Sequence, residues 1–510
     1  MSRYAGYIRA LATGYGLLVV NITYSLAMIP LALAHLGKET FGLWALTMQI
    51  GAIVQLADAG MTGALNRILM EYKDDKSSAS YRQTFYTMWL VFAVLGIAVA
   101  GALAFLSPLL VGWLGIPSEL QSAYVPFLAA YGLLLGAMFA TKPLPMLPFV
   151  HQRSDLLNVI SAISLVLGFL TLWAGLEAGW GLWSLLAGLA SSQALTIIAV
   201  TRICFSHRYF PRPSGHPSLS RTAFREVFDY GKDRMLITIG FTALQAAPTF
   251  LITRLLGLEA NAVWAVVTRM NQLCLQIISK ASDLSYPVLA EMHVRGEHDL
   301  MRRRYSHLLV VGLGITSVCS MGIATCNRDF VSLWTGGRIH SDVVLDSMLG
   351  LWLLTLVLQK FFLVPASIAK DIKDVRFYYI LETTLVLGLG CLLLQSPENI
   401  WQMAVILSVA SLLITIPRNL WKSSHVLDSR WSLVIRPLRM IGLRVLLPAA
   451  ALLAAAAILP AAHQWWAFAL KAGTVATCVT ALLATLPELR NVLCELSQRL
   501  SLLLPGRKTA

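Results

Sequence analysis

Apolar runs of about 20 residues recur along the whole chain, and this recurrence limits the folds open to it more than any other feature. A helical run of that length crosses a hydrocarbon core about 30 Å thick. The chain is 57% hydrophobic and only 13% charged, whereas an average soluble domain has about 25% charged residues. We therefore expect an all-α polytopic membrane protein.

Hydropathy predicts fourteen transmembrane helices, called spans 1 to 14 in chain order. They cover residues 10–36, 41–65, 84–106, 124–149, 155–175, 180–204, 233–254, 262–288, 307–326, 347–369, 376–395, 400–417, 442–462 and 465–486.

Positive charge is strongly biased between the two sets of loops. Of the 40 Lys and Arg residues, 32 fall in the segments on the side of the N-terminus and four in the opposite loops. This bias indicates that both chain ends are cytoplasmic, in a multi-pass protein of the bacterial inner membrane. The net charge of +14 is thus a topology signal, and we expect no nucleic-acid partner.

The spacing of the spans predicts five regions. These are an N-terminal lobe of spans 1 to 6 (residues 1–205), a cytoplasmic linker (206–232), a C-terminal lobe of spans 7 to 12 (233–418), spans 13 and 14 with the preceding loop (419–486), and an amphipathic cytoplasmic tail (487–510).

An internal repeat relates the two lobes. Shifting the chain by 220 residues places HLGKETFGLWAL, which begins at His35, over LLGLEANAVWAV, which begins at Leu255. The shift equates span 2 with span 8, six helices apart, so both lobes keep the same orientation in the membrane. We expect two six-helix lobes, related by a parallel pseudo-twofold axis around a central cavity, with two extra helices at the C-terminus.

Polar residues recur at helical spacing inside several spans. Because a charge facing lipid at mid-membrane costs at least about 2.5 kcal/mol, such faces are expected to line the cavity or another helix. The candidate substrate-binding residues are Arg269, Gln272 and Gln276 in span 8, Lys360 in span 10, Gln55 in span 2, Asn21 and Tyr24 in span 1, and Gln245 in span 7.

The charges inside the spans admit two interpretations. Arg269 is a cavity ligand or the partner of an acid on another helix. Asp58 and Glu382 pair with basic residues of neighbouring helices or take part in ion coupling. Lys280 is expected to pair locally with Asp283, and Lys471 to extend its ammonium group to the membrane surface.

Cofactor chemistry is not indicated. The seven cysteines lie singly, without the spacing of a disulfide framework or zinc site, and no phosphate-binding GxxxxGK[ST] motif occurs. We expect no metal and no cofactor apart from coupling to a proton or sodium gradient.

Two stretches carry a family resemblance. LGKETFGLWALTMQIGAIVQLADAGMTGALNRIL, with its Leu-Gly turn and acid-x-Gly stretch, resembles the polysaccharide (O-antigen) flippase family. Tyr230-Gly231 before span 7, Leu256-Gly257, and Pro287 with Glu291 after span 8 are similar to the same family.

The resemblance implies the fold of the multidrug and oligosaccharidyl-lipid exporter superfamily. It also implies a flippase that moves undecaprenyl-diphosphate-linked oligosaccharides to the periplasmic leaflet through a cationic cavity, to which Arg269 and Lys360 would contribute. The partners would be the lipid-linked glycan, membrane lipids, and the polymerase and glycosyltransferases of the same pathway. Span 1 lacks the basic residues of the related peptidoglycan-precursor flippases, which argues against lipid II as the substrate.

Two other functions compete with this expectation. A cation-coupled multidrug exporter of the same superfamily would need an acid in the cavity, for which Asp58 is the best candidate. A membrane-embedded glycosyltransferase or polymerase would need a sizeable outer loop, whereas the longest one expected, 327–346, is short. The sequence therefore favours a transporter over an enzyme.

Overall fold

The computed structural model describes residues 3–58, 60–72, 78–211, 219–372, 374–427 and 462–485, together with the single residues 439 and 490. These residues form helices and no strand. Predicted span 13, apart from its last residue, and all of the predicted tail except Arg490 lie outside the described residues.

Sixteen α-helices follow one another in the described part of the chain. The first eight are α1 (Arg3–Val54), α2 (Met61–Tyr72), α3 (Ala79–Trp113), α4 (Ser118–Thr141), α5 (Met146–Val150), α6 (Ser154–Glu177), α7 (Leu182–Ser206) and α8 (Arg221–Leu256). The others are α9 (Leu258–Val267), α10 (Arg269–Val294), α11 (His298–Trp334), α12 (Val343–Ile368), α13 (Val375–Leu393), α14 (Trp401–Leu413), α15 (Thr415–Val426) and α16 (Trp465–Ala484). Short 3₁₀ helices cover Gln55–Asp58 and Pro397–Asn399.

Eleven helical stretches of the described chain are long and apolar enough to cross a membrane. The first of them, Ala12–Asp58, covers most of both predicted spans 1 and 2. Predicted span 8 is not among the eleven, because α10 is too polar along one face. Large apolar side chains point outward, such as Phe105, which is 78% exposed, and Ile97, which is 74% exposed. Such surfaces suit contact with lipid, and the chain has an all-α polytopic membrane fold.

The repeat is visible in the backbone. Gly37 interrupts α1 with φ 74° and ψ 176°, and Gly257 separates α8 from α9 with φ 92° and ψ 178°. Glycine adopts positive φ without the steric cost of a side chain. The same uncommon conformation therefore marks the start of span 2 and of span 8, which supports the 220-residue shift.

The chain divides into two compact units, Met1–Ala262 (unit 1) and Val263–Ala510 (unit 2). The boundary lies within α9, whereas the sequence places the division in the 206–232 linker. The difference arises because α8 packs against α1, α2 and α3. In unit 1, α3 also packs on α4, and aromatic side chains such as Phe85, Phe92 and Phe139 fill a core. In unit 2, α12 packs on α11, α14 and α15, and α16 packs on α11.

Candidate substrate-binding site

One face of α10 carries a row of polar side chains. Because α10 is continuous from Arg269 to Val294, the steps of three and four residues predicted from the sequence bring them to one side. Gln272, Gln276, Lys280 and Asp283 are exposed, and Arg269 is half-buried. An Arg269 Nη donates a hydrogen bond to Gln272 Oε1 at 2.8 Å. This face combines amide groups with charges of both signs.

Lys360 of α12 lies beside that face. Its Nζ is 3.3 Å from Oδ1 of Asp283 on α10, and both side chains are partly exposed. The expected local pair of Asp283 with Lys280 is therefore wrong in its partner. Asp283 instead pairs with a lysine of another helix, because α10 and α12 pack against each other.

The polar face of span 2 divides into two parts. In the first part, before Gln55, Thr47 is buried and its hydroxyl is hydrogen-bonded to the Tyr124 hydroxyl of α4 at 2.8 Å. A Cβ added to Gly51 would lie 2.0 Å from the Tyr131 hydroxyl, so this part packs closely on α4. The second part, from Gln55 onward, faces a cavity.

Asp58 has a basic partner at the end of a neighbouring helix, which agrees with one of the two interpretations of its charge. Its Oδ2 lies 3.2 Å from Nζ of Lys142, which follows α4. Its Oδ1 accepts hydrogen bonds from the Thr62 backbone N–H at 3.1 Å and the Thr62 hydroxyl at 2.8 Å. Lys142 also donates to Gln55 Oε1 at 3.2 Å. The three side chains of Asp58, Lys142 and Gln55 form one polar cluster inside unit 1.

This cluster opens onto a cavity of about 350 Å³, which we call the Lys142 cavity. Its polar wall consists of Gln55, Thr62, Asn66, Thr141, Lys142, Gln193 and Thr196. Its apolar wall includes Met138, Leu144, Met146, Phe149, Leu157 and Ile197. A cavity with one cation, several amides and an apolar side can hold an amphipathic anion.

Lys142 was missed as a site residue because it lies near the inner end of predicted span 4, where it was counted with the cations of the cytoplasmic side. In the structure its Nζ lies 4.8 Å from the ring centroid of Phe139 and 6.0 Å from that of Phe92. Both rings are buried. A signal was present in the sequence, because a shift of 218 residues places Lys142 on Lys360.

Glu382 of α13 has neutral partners, so the expected basic partner is wrong. The carboxylate is fully buried and accepts hydrogen bonds from Gln359 Nε2 at 3.1 Å and from the Ser411 hydroxyl. Gln359 also donates to the Thr415 hydroxyl at 2.7 Å. Amide and hydroxyl donors satisfy a buried carboxylate without a counter-ion, which makes Glu382 a candidate for proton binding.

The remaining predicted site residues lie elsewhere in unit 1. Asn21 is exposed on α1, and Tyr24 packs edge-on against the Phe169 ring at 6.1 Å between centroids. Gln245 is half-buried in α8. Among the described residues that line the Lys142 cavity, none is Asn21, Tyr24 or Gln245. Of the predicted unit 1 residues, the structure thus gathers only Gln55 and Asp58.

Comparison with known proteins gives one family and a group of solved structures. The profile of a family described as "Polysaccharide biosynthesis protein" matches residues 34–342. A search of curated protein sequences finds no match.

Three similar structures show the fold. An inward-facing multidrug resistance MATE family transporter of the MOP superfamily has a TM-score of 0.65 and 13% identity, covering 79% of this chain and 94% of its own. The lipid II flippase MurJ, inward closed, has a TM-score of 0.63 and 12% identity, covering 92% and 98%. A MOP superfamily transporter from Pyrococcus furiosus has a TM-score of 0.56 and 12% identity, covering 82% and 96%. The chain has the fold of these transporters.

Proposed function

Because the chain belongs to the polysaccharide biosynthesis protein family, we propose that it is a flippase for a lipid-linked oligosaccharide. The substrate is an undecaprenyl-diphosphate-linked repeat unit, which passes from the cytoplasmic to the periplasmic leaflet of the inner membrane by alternating access. The similarity to transporter and flippase folds supports a transporter in preference to an enzyme.

The observation that carries the proposal is the exposed polar face of α10. Arg269 offers a planar fork of donors that matches phosphate oxygens. Gln272 and Gln276 can donate to and accept from sugar hydroxyls. A helix with such a face is costly in lipid, so a polar substrate gives a reason for it. The polyprenyl tail of the substrate would remain in the bilayer.

A flipping assay with Arg269→Ala tests the proposal. The purified protein in liposomes is given a fluorescent undecaprenyl-diphosphate oligosaccharide, and exposure of the glycan to an impermeant reagent is followed in time. We expect the wild type to flip the lipid and Arg269→Ala to lose about tenfold or more of the initial rate, since hydrogen bonds to charged groups contribute about 1.5–3 kcal/mol. Arg338→Ala, at an exposed arginine outside α10, is the control and should flip normally.

Two outcomes would count against the proposal. Lack of flipping by the folded wild type would remove the function itself. A correctly inserted Arg269→Ala variant with the full rate would remove Arg269 from the substrate path. The same assay with and without a proton or sodium gradient tests coupling, for which Asp58 and Glu382 are the proposed carriers.

A multidrug exporter is the second candidate, since several similar structures are MATE transporters. That function favours an acidic group available to a cationic drug. In this chain Asp58 is paired with Lys142 and Asp283 with Lys360, so both carboxylates already have a cationic partner. Drug-resistance assays in an exporter-deficient host distinguish the two functions, and we expect no protection.

If the chain is a flippase, glycosyltransferases would supply its lipid-linked substrate, and a polymerase would consume the lipid after it has been flipped.

A further inference from the structure

The lysines of the two ion pairs occupy equivalent places in the repeat. The 218-residue shift sets Gly132, Leu133, Leu135 and Lys142 on Gly350, Leu351, Leu353 and Lys360. A Cβ at Gly132 would lie 2.7 Å from Leu103 Cβ on α3, and one at Gly350 would lie 2.6 Å from the Ser320 carbonyl on α11. Both glycines thus pack against the preceding long helix, and each lysine follows its glycine by 10 residues.

The acids of the two pairs do not share this register. Asp58 follows Gly37 by 21 residues, whereas Asp283 follows Gly257 by 26. A 3₁₀ segment, Gln55–Asp58, carries the first acid, and the continuous helix α10 carries the second. The two lysines therefore occupy the same position in the repeat, whereas the aspartates that pair with them occupy different positions. This pattern favours a role for the ammonium group itself.

Lys142 is the more enclosed of the two lysines. Its side chain is 24% exposed, against 39% for Lys360. An ammonium group has three N–H donors, and the contacts of Lys142 with Asp58 and Gln55 use two of them. The group lies in the wall of the Lys142 cavity, so an anion entering that cavity reaches it directly.

Asp58 can release Lys142 without becoming an isolated buried charge. Its other carboxylate oxygen is held by the backbone N–H and hydroxyl of Thr62, in the first turn of α2. The N-terminal turn of a helix stabilises a carboxylate through these N–H groups and the helix dipole. An incoming anion of higher charge can therefore replace the carboxylate at the ammonium.

We propose that the Lys142 cavity binds the phosphate-bearing headgroup of a polyprenyl diphosphate, and that Asp58 is the resident counter-ion which this headgroup displaces. The proposal rests on the proposed function and names a binding site for its substrate in unit 1. Lys142 contacts the diphosphate, the apolar wall contacts the first isoprene units, and the amide N–H groups of the polar wall donate to phosphate oxygens.

The size of the cavity sets what it holds. About 350 Å³ is near the lower end of the roughly 300–1,000 Å³ range of small-molecule sites. The cavity can therefore enclose the diphosphate and the nearest part of the chain, while the glycan and the rest of the lipid lie outside it. Short-chain analogues should for this reason bind as well as the full lipid does.

Direct binding to the purified full-length protein in nanodiscs tests the site. The probes are farnesyl diphosphate, inorganic pyrophosphate and uncharged farnesol, titrated by calorimetry or thermophoresis. We expect farnesyl diphosphate to bind at least tenfold more tightly than either of the others. Equal binding of pyrophosphate would overturn the lipid assignment, and equal binding of farnesol would overturn the role of the cation.

A double-mutant cycle separates the proposed exchange from a structural ion pair. Lys142→Met should weaken farnesyl diphosphate binding about tenfold or more, and Asp58→Asn should tighten it severalfold by removing the competing charge. Asp58→Asn added to Lys142→Met should have no further effect. If Asp58→Asn leaves binding unchanged or weakens it, the displacement proposal is wrong.

Controls keep folding and function apart. Lys422→Met removes a different ion-paired lysine, in α15, and should bind like the wild type. Lys142→Arg keeps the charge and should retain most of the binding if Lys142→Met fails to fold. Binding without flipping would leave the site in place and remove the proposed function, whereas flipping by Lys142→Met with unchanged binding would remove the site alone.

Discussion

Lys471 forms a buried ion pair between two helices. Lys471 of α16 lies 2.7 Å from Asp329 of α11, with side chains only 9% and 1% exposed. The expectation that Lys471 extends to the membrane surface is therefore wrong. Its partner lies 142 residues away in the chain, and hydropathy alone contains no information on such a contact.

The Lys471 pair should be costly to break from one side. Lys471→Met leaves the Asp329 carboxylate buried beside only the more distant Arg328, and removing one partner of a buried pair costs about 3–5 kcal/mol. We expect a clear fall in the free energy of unfolding, measured by denaturant or thermal unfolding in detergent.

Lys422→Met is the matched control, because its partner Asp371 is 50% exposed and the loss should be about 0–1 kcal/mol. Replacing both Lys471 and Asp329 by apolar residues should restore most of the stability. A Lys471→Met variant as stable as the wild type would show that the pair does not stabilise α16.

Among the helices, the packing of α3 on α4 depends on glycine. A Cβ at Gly96 would lie 2.4 Å from the Gly136 carbonyl, and one at Gly136 would lie 2.5 Å from the Gly96 carbonyl. Small residues let membrane helices approach closely, where hydrophobic burial gives little drive for association. The pair fixes the place where α4 crosses α3.

We expect Gly96→Leu to separate the two helices and destabilise unit 1 by about 1–3 kcal/mol or more. Gly101→Leu is the matched control, since nothing lies within 4 Å of a Cβ at Gly101 of the same helix. Thermal unfolding in detergent measures both variants. Equal midpoints for the two would contradict the close approach.

A pH-sensitive contact joins the loop before α13 to α15. Burial alone would raise the pKa of the Asp374 carboxyl, but the hydrogen bonds and charge of Arg418 hold this pKa below its ordinary value. A carboxyl with a lowered pKa stabilises the fold above its unfolded pKa and loses that contribution as the pH falls through the folded pKa.

The wild type should therefore lose stability below about pH 4. Asp374→Asn should be less stable at neutral pH and lose less in that acidic window. The unfolding midpoint, measured from about pH 7 to pH 3, checks this expectation. Asp299→Asn, at an exposed aspartate, is the control and should follow the wild-type curve. An Asp374→Asn curve parallel to the wild type would contradict the role of the Arg418 contact.

Helix positions follow from apolar length, but local breaks within them do not. The positions of α6, α7, α12 and α13 agree closely with predicted spans because apolar runs must be helical in lipid. The 3₁₀ segment Gln55–Asp58 was not expected, since its sequence continues the helical spacing. This segment carries both Gln55 and Asp58, which contact Lys142, and the sequence did not predict that contact.

For the molecule as a whole, the distribution of Lys and Arg predicts the orientation in the membrane, with the chain ends in the cytoplasm. His207 follows α7 on the predicted cytoplasmic side, and His340 precedes α12 on the predicted periplasmic side; both are exposed. We expect His340→Cys to react with an impermeant maleimide in spheroplasts, and His207→Cys to react only after permeabilisation. The reverse labelling pattern would invert the topology.

The fold was predictable at this scale because it depends on summed hydropathy, charge bias and a repeat. Single contacts were not predictable. The partners of Glu382 are Gln359 and Ser411, which come from two other helices. That these partners are neutral could not be derived from the position of Glu382 in the sequence. Candidate ligands on one continuous helix, such as Arg269 and Gln272, were the exception because helical spacing determines their neighbours.

The attachment of α16 to α11 has a practical consequence. Cys478 is an exposed thiol on α16, on the helix that Lys471 joins to Asp329. A spectroscopic label on that thiol would travel with α11 and report displacements of unit 2 during turnover. Such a reporter would leave the Lys142 cavity and the polar face of α10 chemically untouched.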